Sequence, residues 1–186
     1  MEYTENTAVG CVIMASGLST RFGSNKLLAP FGPAGEPLLC RALDATATPR
    51  LAGRVVVTRS PEVQALCKAQ GVPVLLHALP GRNDTVRLGL SALLAQHPEL
   101  TGCMFLPGDQ PLLRRATVDQ LLTAFEQTQK ETERVIFRLG APAGNGPDPL
   151  VGSPVLFSNG FFPELLTLPE GKGGSVLLHK YPTLVH

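Results

Sequence analysis

The chain has 186 residues, 44% apolar and 17% charged, with a net charge of +1 at neutral pH. That length suits one domain, residues 1–186, with a sizeable core, and the composition excludes a disordered chain. The near-zero charge excludes a nucleic-acid or anionic-membrane partner held by bulk electrostatics, so any anionic ligand must be gripped by a local group of cations.

Residues 9–15 (VGCVIMA) form a continuous apolar run, which predicts a strand buried on both faces. Short runs at 54–58 (RVVVT), 72–77 (VPVLLH), 102–106 (GCMFL) and 134–138 (RVIFR) read the same way. Between them, 37–47, 61–70, 84–97 and 115–130 carry helical patterns. In the third, Val86, Leu90, Leu93 and Leu94 recur at i, i+4, i+7 and i+8, with Asn83 or Asp84 placed to cap the start. Residues 140–149 (GAPAGNGPDP) read as a long loop. A strand over 152–158 (GSPVLFS), a short helix begun by FFPELLTL, a glycine-rich turn (GKGG) into another helix, and a final strand at LVH complete the series. Phe161 and Phe162 read as core.

Strands alternating with helices predict an α/β fold with a mainly parallel sheet covered on both faces, whose ligands bind beyond the carboxyl ends of the strands. No apolar run approaches the roughly 18 residues of a membrane span, and the opening MEYTENT lacks the basic start and apolar middle of a secretion signal. Cys11, Cys40, Cys67 and Cys103 are far apart, without a C-x-x-C pair, and read as reduced buried thiols. Together these features predict a cytoplasmic protein with no membrane partner.

Two loops follow strands and carry chemistry. In ASGLSTRFGSNK, Ala15, Ser16 and Gly17 offer backbone N–H groups unobstructed by large side chains, and Arg21 and Lys26 add positive charge. The loop is either a polyphosphate cradle or a flexible segment with two solvated cations. In LPGDQPLL, Asp109 is either a turn former or a hard oxygen ligand for Mg²⁺. Cations, bare backbone and a metal-binding carboxylate at one sheet edge are what phosphoryl and nucleotidyl transfer require. In a third stretch, LPGRNDTVRLGL, Asn83, Asp84 and Thr85 either cap a helix or contact a base or ribose, and Arg82 and Arg87 are either solvated or phosphate-binding. Neither G-x-x-x-x-G-K-[ST] nor G-x-G-x-x-G occurs, which sets aside a P-loop NTPase and a dinucleotide-binding fold.

The ASGLSTRFGSNK run resembles the signature loop of MobA-like NTP transferases, ordinarily L-A-A-G or L-A-G-G followed by S-x-R-M/F-G and a lysine. The GDQP turn resembles their metal-binding G-D-x-P. RNDTVRLGLSAL and GSPVLFSNGFFPELLTLPEGKGGSVLLHKYP are similar to one branch, the molybdenum cofactor cytidylyltransferases and accessory proteins of molybdenum hydroxylases. The resemblance covers nearly the whole chain. It implies a three-layer α/β/α Rossmann-like fold and transfer of a nucleoside monophosphate to a phosphorylated acceptor with release of pyrophosphate. In the nearest branch CTP is the donor, in preference to GTP, and molybdenum-molybdopterin is the acceptor, with a molybdenum hydroxylase as a further partner.

By that resemblance Ala15, Ser16, Gly17 and Lys26 would hold the nucleotide, joined by Asn83, Asp84 and Thr85. Arg21, Lys26 and Asp109 would be catalytic, with Mg²⁺ on Asp109, and Gly152, Ser153 and Pro154 would meet the acceptor. Ser16 stands where the family has Ala or Gly, and Ser153 where it often has His or Asn. Relatives continue into an acidic segment that could supply a second metal ligand; within this chain Asp148 is the substitute candidate. The alternatives are a GTP-dependent guanylyltransferase, a sugar-phosphate nucleotidyltransferase, and a non-catalytic chaperone that holds the cofactor for a hydroxylase.

Overall fold

The computed structural model describes residues 8–17, 25–129, 133–141 and 150–186. Its centre is strand β1 (Val9–Ala15). Alternating side chains of β1 feed two cores: Val9, Cys11, Ile13 and Ala15 enter one, and Val12 enters the other. Burial on both faces is why this strand reads as an unbroken apolar run.

A two-stranded hairpin, β2 (Pro30–Phe31) and β3 (Glu36–Pro37), precedes helix α1 (Leu38–Ala45). Then follow β4 (Leu51–Thr58), α2 (Pro61–Ala69), β5 (Val74–Leu76), α3 (Arg82–Gln96), β6 (Gly102–Pro107) and α4 (Arg115–Gln129). The chain ends with β7 (Ile136–Ala141), β8 (Leu150–Ser158), α5 (Phe162–Leu166) and α6 (Ser175–Lys180). The main sheet has the order β5-β4-β1-β6-β8-β7. The β5–β4, β4–β1 and β1–β6 pairs are parallel, and β8 runs antiparallel to both of its neighbours.

The first core packs α1, α2 and α4 against one face, through Leu39, Val63 and Leu122 among others. The second packs α3, α5 and α6 against the opposite face, through Leu90, Leu165 and Leu177. This is the expected three-layer, mostly parallel α/β/α architecture. The winding reverses at β1: connections to β4 and β5 lie on one face, and α3 returns across the other to reach β6. Ligands of such sheets bind beyond the carboxyl end of the strand where the order reverses. Gly89 lets α3 lie close there, because a Cβ on it would stand 2.5 Å from Val12 Cγ1.

Several local expectations change. Helix α3 begins at Arg82, and neither Asn83 nor Asp84 is its N-cap, a position held by Gly81. Asp84 reaches back one turn to accept the Gly81 N–H at 3.0 Å, and Asn83 Oδ1 accepts the Gly171 N–H at 2.9 Å. Strand β7 includes Gly140 and Ala141, which pair with Val151 and Leu150, so the expected loop is shorter by two residues; positions 142–149 lie outside the described residues. The final LVH makes an isolated bridge, Ile136 to Val185, in place of a full strand. The hairpin β2–β3, two residues per strand, has too few positions to show a period of two.

All four cysteines are free and buried. Burial pushes the Cys11 thiol up to about 12 and that of Cys67 to about 11, which keeps both protonated and unreactive. Phe161 and Phe162 are core, as expected. Among the described residues no helix is long and apolar enough to cross a membrane.

Glu164 ties the last helix down. Its carboxylate accepts from Lys180 Nζ at 2.8 Å, from Arg134 Nη2, and from the Tyr181 hydroxyl at 3.1 Å. The Arg134 guanidinium lies over the Phe161 and Tyr181 rings. Lys180, with Arg134 and Tyr181, holds the Glu164 carboxyl below its ordinary value of 4.5. A carboxylate depressed on folding contributes stability above its unfolded value and loses it as pH falls through the lower folded value. The protection factors of the α6 amides, corrected for the intrinsic slowing of exchange in acid, are therefore expected to fall as pH drops below about 4.5. A Glu164→Gln chain should exchange faster already at neutral pH, and unchanged protection of α6 in that variant would contradict the assignment.

Candidate active site

The carboxyl ends of β1, β4, β5 and β6 converge at one edge. Beyond β1 the chain passes through Ala15, which is buried, to Ser16, half-buried, and Gly17, exposed. Among the described residues no atom lies within 4 Å of a Cβ built at Gly17, which leaves its backbone open on that side. Arg21 falls outside the described residues, as does Asp148. The chain then forms a single 3₁₀ turn, Lys26–Leu28, capped by Asn25, whose side chain accepts the Leu27 N–H at 3.1 Å. Buried Leu27 anchors this turn in the first core and fixes where Lys26 stands.

Beyond β6, the Gly108 N–H donates to the Met14 carbonyl at 2.9 Å, stitching the GDQP turn to the end of β1. That bond and the anchored 3₁₀ turn bring Lys26 Nζ within 3.3 Å of Asp109 Oδ2, across 83 positions of sequence. Both side chains are over two-fifths exposed, so the pair contributes at most about 1 kcal/mol to stability. Its significance is chemical: a carboxylate and an ammonium face solvent together beside an open backbone.

The other predicted residues divide. Asp84 pairs with Arg87 at 3.0 Å, and this ion pair, with the Gly81 amide, holds its carboxyl below the ordinary value. Thr85 is buried. Asn83 fixes the GKGG turn, as described above. On the far side of β6, the first residues of antiparallel β8 overhang the same edge. Register pairs Phe105 with Val155, which sets Pro154, Ser153 and Gly152 beyond it, level with Pro107 and the Asp109 turn. The Gly152 carbonyl accepts from Arg138 Nε at 3.1 Å, and the Ser153–Pro154 peptide is cis.

Two residues missing from the sequence reading also meet this edge. Arg59, the first residue after β4, donates from Nε to the Ser16 carbonyl at 2.8 Å. His77, the first after β5, places Nε2 2.8 Å from Ser16 Oγ. The signal that finds them is positional, since each immediately follows a strand ending at the ligand edge.

As for a metal, the described residues hold no cluster of three or more His, Cys, Asp or Glu side chains suited to one. Asp109 offers a hard oxygen there. That donor set fits Mg²⁺, which keeps several waters and completes its shell with substrate phosphates.

Residues 11–184 match the MobA-like NTP transferase domain. The chain is 34% identical over 150 residues to a bifunctional protein GlmU of Clavibacter sepedonicus, covering 75% of this chain but only 29% of that protein's length. It is 30% identical over 119 residues to a probable molybdenum cofactor guanylyltransferase of Pyrococcus furiosus, covering 63% of this chain and 56% of that protein. The crystal structure of Rv0371c from Mycobacterium tuberculosis superposes with a TM-score of 0.72 at 25% identity, covering 94% of this chain and 83% of that one. Its manganese complex superposes with a TM-score of 0.67 at 26% identity, covering 93% and 83%. The chain belongs to the MobA-like NTP transferase domain family.

Proposed function

We propose that this chain is a nucleotidyltransferase that moves CMP from CTP to the terminal phosphate of a molybdopterin-type acceptor carrying molybdenum, releasing pyrophosphate. The observation that carries the proposal is the meeting of Lys26 and Asp109 beside the open Ser16–Gly17 backbone at the sheet's reversal point. Family membership supports nucleotidyl transfer, and the sequence resemblance supports CTP and the molybdenum acceptor. The Pyrococcus relative's name favours GTP as the second reading.

In this mechanism the Ser16–Gly17 backbone N–H groups and Lys26 hold the triphosphate, with Arg21 assigned to the same task. Asn83 and Asp84 flank the nucleoside, with buried Thr85 behind them, while Gly152, Ser153 and Pro154 line the acceptor side. An acceptor phosphate oxygen attacks the α-phosphorus in line; the new P–O bond forms as the α–β bond breaks, and pyrophosphate departs with its electron pair. The attacking phosphate is already ionised at neutral pH, so no side chain has to remove a proton. Lys26 faces the charge that accumulates on the departing pyrophosphate. Asp109 would hold Mg²⁺, which supplies charge neutralisation across the phosphates. A manganese complex in the Rv0371c structure supports a divalent ion in this fold, and the one-carboxylate donor set here suits magnesium.

The test is pyrophosphate release from CTP and from GTP with molybdenum-loaded molybdopterin, with and without Mg²⁺. Release from CTP that requires both acceptor and Mg²⁺ is expected. Preferential release from GTP supports the second reading, and retention of the cofactor without nucleotide consumption would replace both with a carrier role.

A further inference from the structure

Ser16 is held from three directions. Its hydroxyl lies 3.1 Å from the Val57 carbonyl and 2.8 Å from His77 Nε2, while its own carbonyl accepts from Arg59 Nε at 2.8 Å. The Thr58 hydroxyl donates to the neighbouring Ala15 carbonyl at 3.0 Å. Every one of these partners comes from the ends of β4 and β5, so the first peptides of the loop are fastened to two other strands.

The proton inventory fixes the imidazole. The Val57 carbonyl can only accept, and the serine hydroxyl has one proton to give it. Nε2 then donates to Ser16 Oγ, and Nδ1 carries the lone pair. Nδ1 is buried and has no partner among the described residues. Protonating it would bury an N–H without an acceptor.

We propose that His77 and Arg59 are positioning residues that clamp Ser16 through its side-chain and main-chain oxygens, holding the Ser16–Gly17 peptide in the geometry that receives the nucleotide's phosphates. The role rests on the nucleotide reading given above. It also accounts for serine where the family has alanine or glycine: the hydroxyl points back into the protein and is used for anchorage. The clamp is acid-sensitive. Burial and the Arg59 guanidinium lower the His77 pKa, opposed by the Asp84 carboxylate on α3, so the ring is neutral at physiological pH. Protonation in acid turns the ring out of its site and releases Ser16.

The experiment titrates CTP·Mg²⁺ into the full chain at about pH 7.5 and in steps down to about pH 5, from above the ordinary histidine value to well below it. His77→Ala is expected to weaken binding about tenfold at the higher pH, the loss of one hydrogen bond to a partly buried partner. His77→Gln, whose amide nitrogen can donate to Ser16, should bind within about twofold of the native chain. The native chain should lose more affinity than His77→Gln as pH falls, the loss common to both reporting protonation of the nucleotide's terminal phosphate. Adding Ser16→Ala to His77→Ala should cost little more, because the two act through one bond. A role in folding alone would lower the melting temperature of both His77 variants without this pH split. Equal affinity in native and His77→Ala chains overturns the proposal, as does an acid loss in His77→Gln as large as that of the native chain. Imidazole ¹⁵N spectra of the unliganded chain give a readout independent of nucleotide, and a neutral ring protonated at Nδ1 also overturns it. Failure of the native chain to bind either CTP or GTP refutes the nucleotide reading itself, a result separate from those.

Discussion

Replacing Asp109 by alanine is expected to lower the proposed CMP transfer by at least about 10²–10³-fold, the usual cost of deleting one charge-stabilising group at a transferring phosphoryl centre. The fold should survive, because the Asp109 side chain is 44% exposed and its recorded partner is the equally exposed Lys26. Asp109→Asn keeps the shape and removes the charge, so it should be nearly as inactive as alanine. Lys26→Ala is expected to be milder, since it removes a cation from the phosphates and leaves the carboxylate in place. The measurement is pyrophosphate release at saturating CTP and Mg²⁺, paired with thermal unfolding of each variant. Near-native turnover by Asp109→Ala would end the assignment of this edge as the reaction site. An inactive variant that also melts far below the native chain would show instead that Asp109 holds the structure.

Phe157→Ala should produce a large loss of stability. Phe157 is 1% exposed and sits edge-to-face with Phe105 on β6 and with Phe161, at centroid separations of 6.0 and 5.9 Å. A Cβ added at Gly174 would stand 3.2 Å from its ring, so the entry to α6 also packs on it. Truncating a buried phenylalanine costs about 3–5 kcal/mol, and the two aromatic pairs place this one toward the upper end. At a chain length near that of this protein, each kcal/mol lowers the melting temperature by about 2–4 °C, so a fall of about 10–20 °C is expected. Chemical denaturation should show a lower midpoint with an unchanged slope. A loss under about 1 kcal/mol would mean that the second core refills the space, contrary to the close packing seen around this ring.

Much of the fold was legible because burial leaves a mark on the residues. β1 matches its expected bounds, since a strand with apolar neighbours on both faces has no polar position to blur its ends. Helices over 61–70 and 115–130 were found within a residue because their apolar stripes are regular. The direction of β8 was not legible: GSPVLFS has the same composition whichever way it runs, and pairing partners set its sense. The cap of α3 was misassigned because Asp84 serves the same N-terminus from within the first turn, where the sequence pattern resembles a cap one turn earlier. At the site, Lys26 and Asp109 were found from loops that follow strands, and the structure brings them together. Arg59 and His77 were missed because each is a lone residue with no motif around it, visible only once the strand ends are known.

The reversed eighth strand has a consequence for how such proteins diversify. A parallel strand leaves this rim through a connection that returns along a helix; β8 is entered from a connection between two neighbouring strands, β7 and β8. Lengthening such a connection changes closure entropy only slowly, by about 0.6 kcal/mol per doubling. On the proposed nucleotide side, Ser16 is tied to the ends of β4 and β5. Under the proposed function, substitution and insertion in that connection reshape the acceptor lip while the ties at Ser16 stay in place.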